Sequence, residues 1–135
     1  MLAFDADVLI YAASEGHPLG EKVAALFHDA EAGHPVGIGS VLLLTETLAK
    51  PLRDDPTSAE VAALAGLLAR LDLLPLNEPT ARLSLVLAVA YKLRAADAAH
   101  LATAVAAGAD GFVTNNRKDF PVSIQEIQIV YPEDL

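Results

Sequence analysis

The sequence predicts an α/β fold, a mostly parallel central sheet of about five strands with helices on both faces. Short apolar runs alternate along the chain with segments whose apolar residues recur at helical spacing. Short buried strands separated by helices fit a parallel sheet covered on both faces. The chain has 135 residues, 53% of them hydrophobic, so 1–135 is expected to form a single domain with one ample core. It has no linker, repeat or low-complexity tract.

Leu2 to Phe4 reads as a first buried strand ending at Asp5, and Asp7 is expected to cap the helical turn that follows. From Pro18 to Ala32, Val23, Leu26, Phe27 and Ala30 keep helical spacing until Gly33 stops it. Val36 to Gly39 is a second strand, and Ser40 is the expected N-cap of a helix running to about Leu52. After the loop Asp54-Asp55, Pro56 or Thr57 opens a helix to about Leu71. Leu73 to Leu76 is a third strand, and Glu78-Pro79 begins a helix to about Leu93. Ala95 to Ala107 is a further helix closed by Gly108. Gly111 to Thr114 and Ile127 to Val130 are the fourth and fifth strands.

Composition narrows the function. The absence of cysteine removes disulfides and thiolate metal sites and points to a reducing cytoplasm. Asp5 and Asp7 interrupt the N-terminal apolar stretch at once, unlike a signal peptide. No apolar run approaches the ~20 residues that span a bilayer, so no membrane partner is expected. A formal net charge of −9 argues against a broad electrostatic grip on nucleic acid. The distribution tempers this. Lys50 and Arg53 follow Glu46, Lys92 and Arg94 precede Asp97, and Arg117 and Lys118 lie in a late polar segment. Lys50, Arg53, Arg94 and Arg117 are therefore candidate phosphate contacts, although each pair also fits a solvated helix end.

The most informative residues are acids in apolar surroundings. Asp5 and Asp7 lie in Leu2-Ala3-Phe4-Asp5-Ala6-Asp7-Val8-Leu9-Ile10, Glu46 in Leu42-Leu43-Leu44-Thr45-Glu46-Thr47-Leu48, and Asp97 in Ala95-Ala96-Asp97-Ala98-Ala99. A carboxylate there is costly to bury without a partner. In an open parallel sheet, sites form at the carboxyl ends of the strands. Asp5 ends the first strand, and Asn115 and Asn116 follow the fourth. Glu46 shares a helical face with Leu42, Ala49 and Arg53, and Asp97 sits in the first turn of its helix. Both can point at the end of the first strand. Such a cluster suits hard divalent cations, Mg2+ or Mn2+, which prefer carboxylate and water oxygens. Phosphodiester hydrolysis is the reaction that uses every role such an ion offers.

These segments resemble the motifs of PIN-domain nucleases. Asp5-Ala6-Asp7-Val8-Leu9-Ile10 is similar to the opening motif, Thr45-Glu46-Thr47-Leu48 to the second acidic motif, and Arg94 through Ala104 to the third. Phe112-Val113-Thr114-Asn115-Asn116-Arg117-Lys118-Asp119-Phe120 resembles their Thr-Asn-Asp segment followed by Asp-Phe. The resemblance spans the chain in order, and its length looks most like the VapC-type toxins of toxin–antitoxin pairs. It implies a PIN-like three-layer fold and an Mg2+- or Mn2+-dependent endoribonuclease acting on RNA, with a protein antitoxin and a homodimer. Carried over, Asp5, Glu46, Asp97 and Asn116 are the catalytic set. Asp5, Glu46 and Asp97 would hold metal, and Thr114 would orient the site from behind. The departure is Asn116, where the family often has Asp. An amide oxygen brings no charge, and Asp119, three residues on, is an alternative fourth ligand.

Other readings compete. A degenerate PIN fold would bind RNA or protein without catalysis. Asp5-x-Asp7 after a strand also suggests a haloacid-dehalogenase-like phosphatase, but Leu9 stands where that motif needs Thr. Asp5 alone could be a turn residue, Glu46 could pair with Lys50, and His100 reads as a polar residue on a packed helix. His17, His28 and His34 show no zinc-ligand spacing. Gly37-Ile38-Gly39 is too little for a dinucleotide fingerprint. An antitoxin's amphipathic helix would need an apolar groove, for which the first helices and Leu64 to Leu71 are candidates.

Overall fold

A computed structural model describes residues 1–135. The chain forms β1 (Leu2–Phe4), α1 (Ala6–Ala13), α2 (Glu21–Asp29), β2 (Gly37–Ser40), α3 (Leu42–Asp54) and α4 (Ala59–Leu68). It continues through β3 (Leu71–Leu74), α5 (Glu78–Tyr91), α6 (Ala95–Ala106), β4 (Gly111–Val113) and β5 (Ile129–Val130), closing with a short 3-10 turn at Pro132–Asp134. The five strands make one sheet in the order β3-β2-β1-β4-β5. Every pairing is parallel, with Ala3 opposite Ile38 on one side and Phe112 on the other.

Strand alternation divides the core between the two faces of this sheet. Ala3, Ile38, Phe112 and Ile129 point to the face where Leu87 of α5 and Leu101 of α6 pack. Phe4, Leu71 and Val113 point to the other, where Val8 and Leu9 of α1, Val23 and Phe27 of α2, Leu43 of α3 and Leu68 of α4 pack. The α/β expectation holds in this form, with a wholly parallel sheet between the α1–α4 layer and the α5–α6 layer. Close approach at the centre requires a glycine. A Cβ on Gly37 would lie 2.4 Å from the carbonyl oxygen of Leu2 and 2.5 Å from Phe4 Cε2.

Several boundaries move from their expected places. Helix α2 starts at Glu21 rather than Pro18, with Gly20 as its N-cap, seated against the Tyr11 carbonyl. The N-cap of α3 is Val41, while Ser40 Oγ accepts the Leu42 N–H at 3.2 Å from one position earlier. Strand β3 begins two residues before the expected Leu73, because Leu71 is already paired with Gly37. No helix is long and apolar enough to cross a membrane.

The strand order fixes where a site can form. The chain leaves β1 towards β2 and β3, then returns to lay β4 on the opposite side of β1. The carboxyl ends of β1 and β4 therefore flank the point where the winding reverses, the position of the ligand crevice in open parallel sheets.

Candidate active site

At that point the backbone N–H of Asp5 donates to the Val113 carbonyl at 2.9 Å, continuing the β1–β4 ladder by one residue. Asp5 is also the N-cap of α1. Its Oδ1 accepts the Ala6 N–H at 2.8 Å, and its Oδ2 accepts the Thr114 hydroxyl at 2.7 Å. With only 5% exposure its carboxyl is pushed above the usual range by burial, against the lowering pull of the Thr114 hydroxyl. Thr114 Oγ1 in turn accepts the Asn116 N–H at 3.1 Å, so one hydroxyl ties the acid to the loop after β4.

The structure corrects the reading of Asp7. The strand ends at Phe4, so Asp5 takes the cap and Asp7 falls in the first turn of α1. Its Oδ2 accepts the Asn115 N–H at 3.0 Å, while its Oδ1 is buried with no partner. Burial, reinforced by the charge of Asp5, pushes this carboxyl up to about 7. Asn115 thus supplies a backbone donor to this acid.

Asp97, half-buried in the first turn of α6, is raised by burial and then by the charges of Asp5, Asp119 and Glu46. Glu46 comes from α3 on the opposite face. Its Oε2 lies 2.9 Å from His100 Nε2, and its side chain is 32% exposed. Asn116 Nδ2 donates to Asp119 Oδ2 at 2.9 Å, and Asn116 Oδ1 accepts the Asp119 N–H at 3.3 Å. Beneath this loop, Phe120 is buried edge-on to Phe112, and the Tyr131 hydroxyl donates to its carbonyl at 2.8 Å.

Asp5, Ala6, Asp7, Ile10, Glu46, Asp97 and Asn116 line one open pocket of about 330 Å3. The structure brings together Asp5, Glu46, Asp97 and Asn116. Asp119 is not part of the lining, although its charge reaches Asp97. Of the basic residues, Lys50 pairs with Asp54 at 2.8 Å rather than with Glu46. Arg117 pairs with Glu133 and lies 4.1 Å over the Tyr131 ring. Arg53 and Arg94 are exposed and make no ion pair.

The pocket fits a hydrated divalent cation. Its donors are oxygens, one carboxylate oxygen is orphaned, and three acids are raised partly by one another's charge, which a cation would offset. No three His, Cys, Asp or Glu side chains are gathered closely enough to hold a metal ion directly. A hydrated cation that keeps several waters and takes one or two direct carboxylates needs no such group.

A model of the PIN-domain family matches residues 2–122. The chain belongs to the PIN-domain family. PIN domains are nucleases that generally use divalent metal ions, consistent with the donor set here. Among solved structures, a toxin–antitoxin complex from Klebsiella pneumoniae is similar at 20% identity, with a TM-score of 0.73 and full coverage of both chains. VapBC2 from Rickettsia felis, bound to a DNA fragment from its promoter, is similar at 17% identity with a TM-score of 0.73, covering 96% of this chain and 97% of that one. These likenesses are of fold. No curated protein sequence matches the chain.

Two features of this PIN site escaped the sequence. Asp7 faces the pocket because its neighbour takes the cap, a matter of where one strand ends. His100 meets Glu46 from the opposite layer, and the only signal was its place one turn after Asp97.

Proposed function

We propose that the protein is an Mg2+- or Mn2+-dependent endoribonuclease of the VapC type, acting as one domain and held inactive by a protein antitoxin. One observation carries the reading. Asp5 from the central strand edge, Glu46 from one helix layer and Asp97 from the other line a single pocket at the reversal point of a PIN fold. In this reading Asp5, Glu46 and Asp97 hold the cation, some of them through its waters, with the Asn116 amide oxygen as an uncharged fourth donor and Asp119 as its hydrogen-bonded support. A bound divalent cation would activate a water and neutralise the scissile phosphate. The chain's own residues do the rest. Thr114 and the Ala6 N–H fix both oxygens of Asp5. Asp7, poised near neutrality, holds or releases a proton beside them. Arg53 and Arg94 are free to contact RNA phosphates; Lys50 and Arg117 would first have to leave Asp54 and Glu133.

Partners follow from surfaces. A hollow of about 680 Å3 lies away from the acids between α1 and α4, lined by Ala12, Ala13, Ala63 and Leu67 with Glu15 and Glu60 at hand. It is the place for an antitoxin's amphipathic helix. Leu85, Val86 and Val89 stand exposed along α5, an apolar stripe that a second copy would cover in a homodimer. The lack of cysteine suits a cytoplasmic setting.

Purified, antitoxin-free protein should cleave RNA with Mg2+ or Mn2+, and Asp5→Asn or Asp97→Asn should remove the activity. Absence of cleavage and of Mn2+ binding in the wild type would sink the proposal. Asn116 motivates one other reading, a non-catalytic RNA- or protein-binding PIN module. Calorimetric Mn2+ titration separates the two, since a site disrupted by Glu46→Gln favours catalysis. The phosphatase alternative loses its basis in a PIN domain.

A further inference from the structure

We propose that His100 is a positioning residue that orients Glu46 within the acidic pocket by donating its Nε2–H to the carboxylate; the inference rests on the metal-nuclease reading above. Glu46 is the acid of the pocket with the longest side chain, and its one bonded partner is His100 Nε2 at 2.9 Å. Asp5 and Asp7, by contrast, are each tied by a backbone N–H. Left alone, a partly exposed glutamate would wander over many rotamers, and ordering them would weaken any ion it binds.

His100 can hold it because the ring is packed in the core. Its side chain is 1% exposed, within a run of α6 in which Ala98 to Ala104 are all buried. Its other nitrogen, Nδ1, is buried with no partner. A proton there would be a buried donor without an acceptor, so the tautomer that fits carries its hydrogen on Nε2, aimed at Glu46. An apolar side chain would fill the position without an orphaned nitrogen, so packing alone does not account for the ring. The bond also joins α3 to α6, which cover opposite faces of the sheet, one turn after Asp97. It thereby sets the spacing between two acids that no single element fixes. Second-sphere partners of metal ligands commonly act in this way.

The test uses the full chain free of antitoxin. His100→Leu should fold, with a metal-free melting temperature within a few degrees of wild type, yet bind Mn2+ about 10–100-fold more weakly. Its kcat on RNA should fall while KM holds. His100→Gln, which keeps an N–H donor, should recover most of the loss. Glu46→Gln and Glu46→Gln/His100→Leu should bind Mn2+ alike, because the histidine acts through the glutamate. Wild-type Mn2+ affinity in folded His100→Leu, or additive losses in the double variant, would overturn the proposal. A second measurement stands apart from metal and from the variant's folding. 15N spectra of the metal-free wild type should show the Nε2-protonated tautomer, with shifts that change in Glu46→Ala. An Nδ1-protonated ring, or shifts indifferent to Glu46, would overturn it. If the wild type binds no Mn2+, the nuclease reading fails, and the tautomer result still decides whether the pair exists.

Discussion

Asp5 and Asp7 are two residues apart and do different work because the strand ends between Phe4 and Asp5. Asp5 has both oxygens bonded, whereas Asp7 leaves one buried and bare. The consequence for pH follows from the raised value of Asp7. In the unfolded chain this carboxyl ionises near 3.8, and in the folded protein near 7. Between those pH values the folded state binds the extra proton, so stability falls as pH rises through the window and levels off above it. Asp5 and Asp97, also raised, act in the same direction. Metal-free protein should therefore melt higher at pH 5 than at pH 7.5, and Asp7→Asn should flatten the difference. A melting temperature that climbs over that range would contradict this. Divalent-ion affinity should run the opposite way, since ligands must shed their protons. Thr114→Val should leave Asp5 Oδ2 without its donor, costing about 1–3 kcal/mol by denaturant titration. Asp5, Glu46 and Asp97 were legible in the sequence as acids in apolar segments. Asp7 was legible as such an acid but not in its place beside the pocket, and His100 not as a partner of Glu46, because a cap and a cross-layer hydrogen bond depend on the folded arrangement.

Helices were legible wherever apolar spacing ran for several turns, and α3, α5 and α6 lie where periodicity puts them. Their ends were less so. Gly20 rather than Pro18 precedes α2 because the chain must clear the Tyr11 carbonyl, a contact across elements. Strand β5 is confined to Ile129–Val130, paired with Phe112 and Val113 of β4, rather than starting at Ile127. The β1–β2 contact makes a second close demand. Gly37→Ala would drive a methyl into the Leu2 carbonyl oxygen and the Phe4 ring, which the ladder itself holds in place. Its expected cost is about 1–3 kcal/mol, the scale of overpacking, read as a lower denaturation midpoint at unchanged slope. An unchanged midpoint would show that β2 can shift aside.

At the scale of the molecule, parallel pairing and the order β3-β2-β1-β4-β5 put the site at the reversal point beside β1. The sequence implied strand–helix alternation but not the order of the strands, which long-range pairing decides. Both helix layers contribute an acid to the pocket, so the site depends on the whole fold. Thermal unfolding of the metal-free protein should be one cooperative transition, with calorimetric and van't Hoff enthalpies equal. Two resolved transitions would mean that the layers melt separately. The proposed metal-dependent nuclease site joins acids from both layers and the central strand. Its most direct test is cleavage of a mixed-sequence RNA by antitoxin-free protein, with Mn2+ and with chelator, beside Asp97→Asn. Cleavage should occur with Mn2+, stop on chelation and fall in the variant by at least the ~100-fold that losing a ligand's mere supporting partner can cost. Cleavage that survives chelation, or that Asp97→Asn leaves intact, would contradict it.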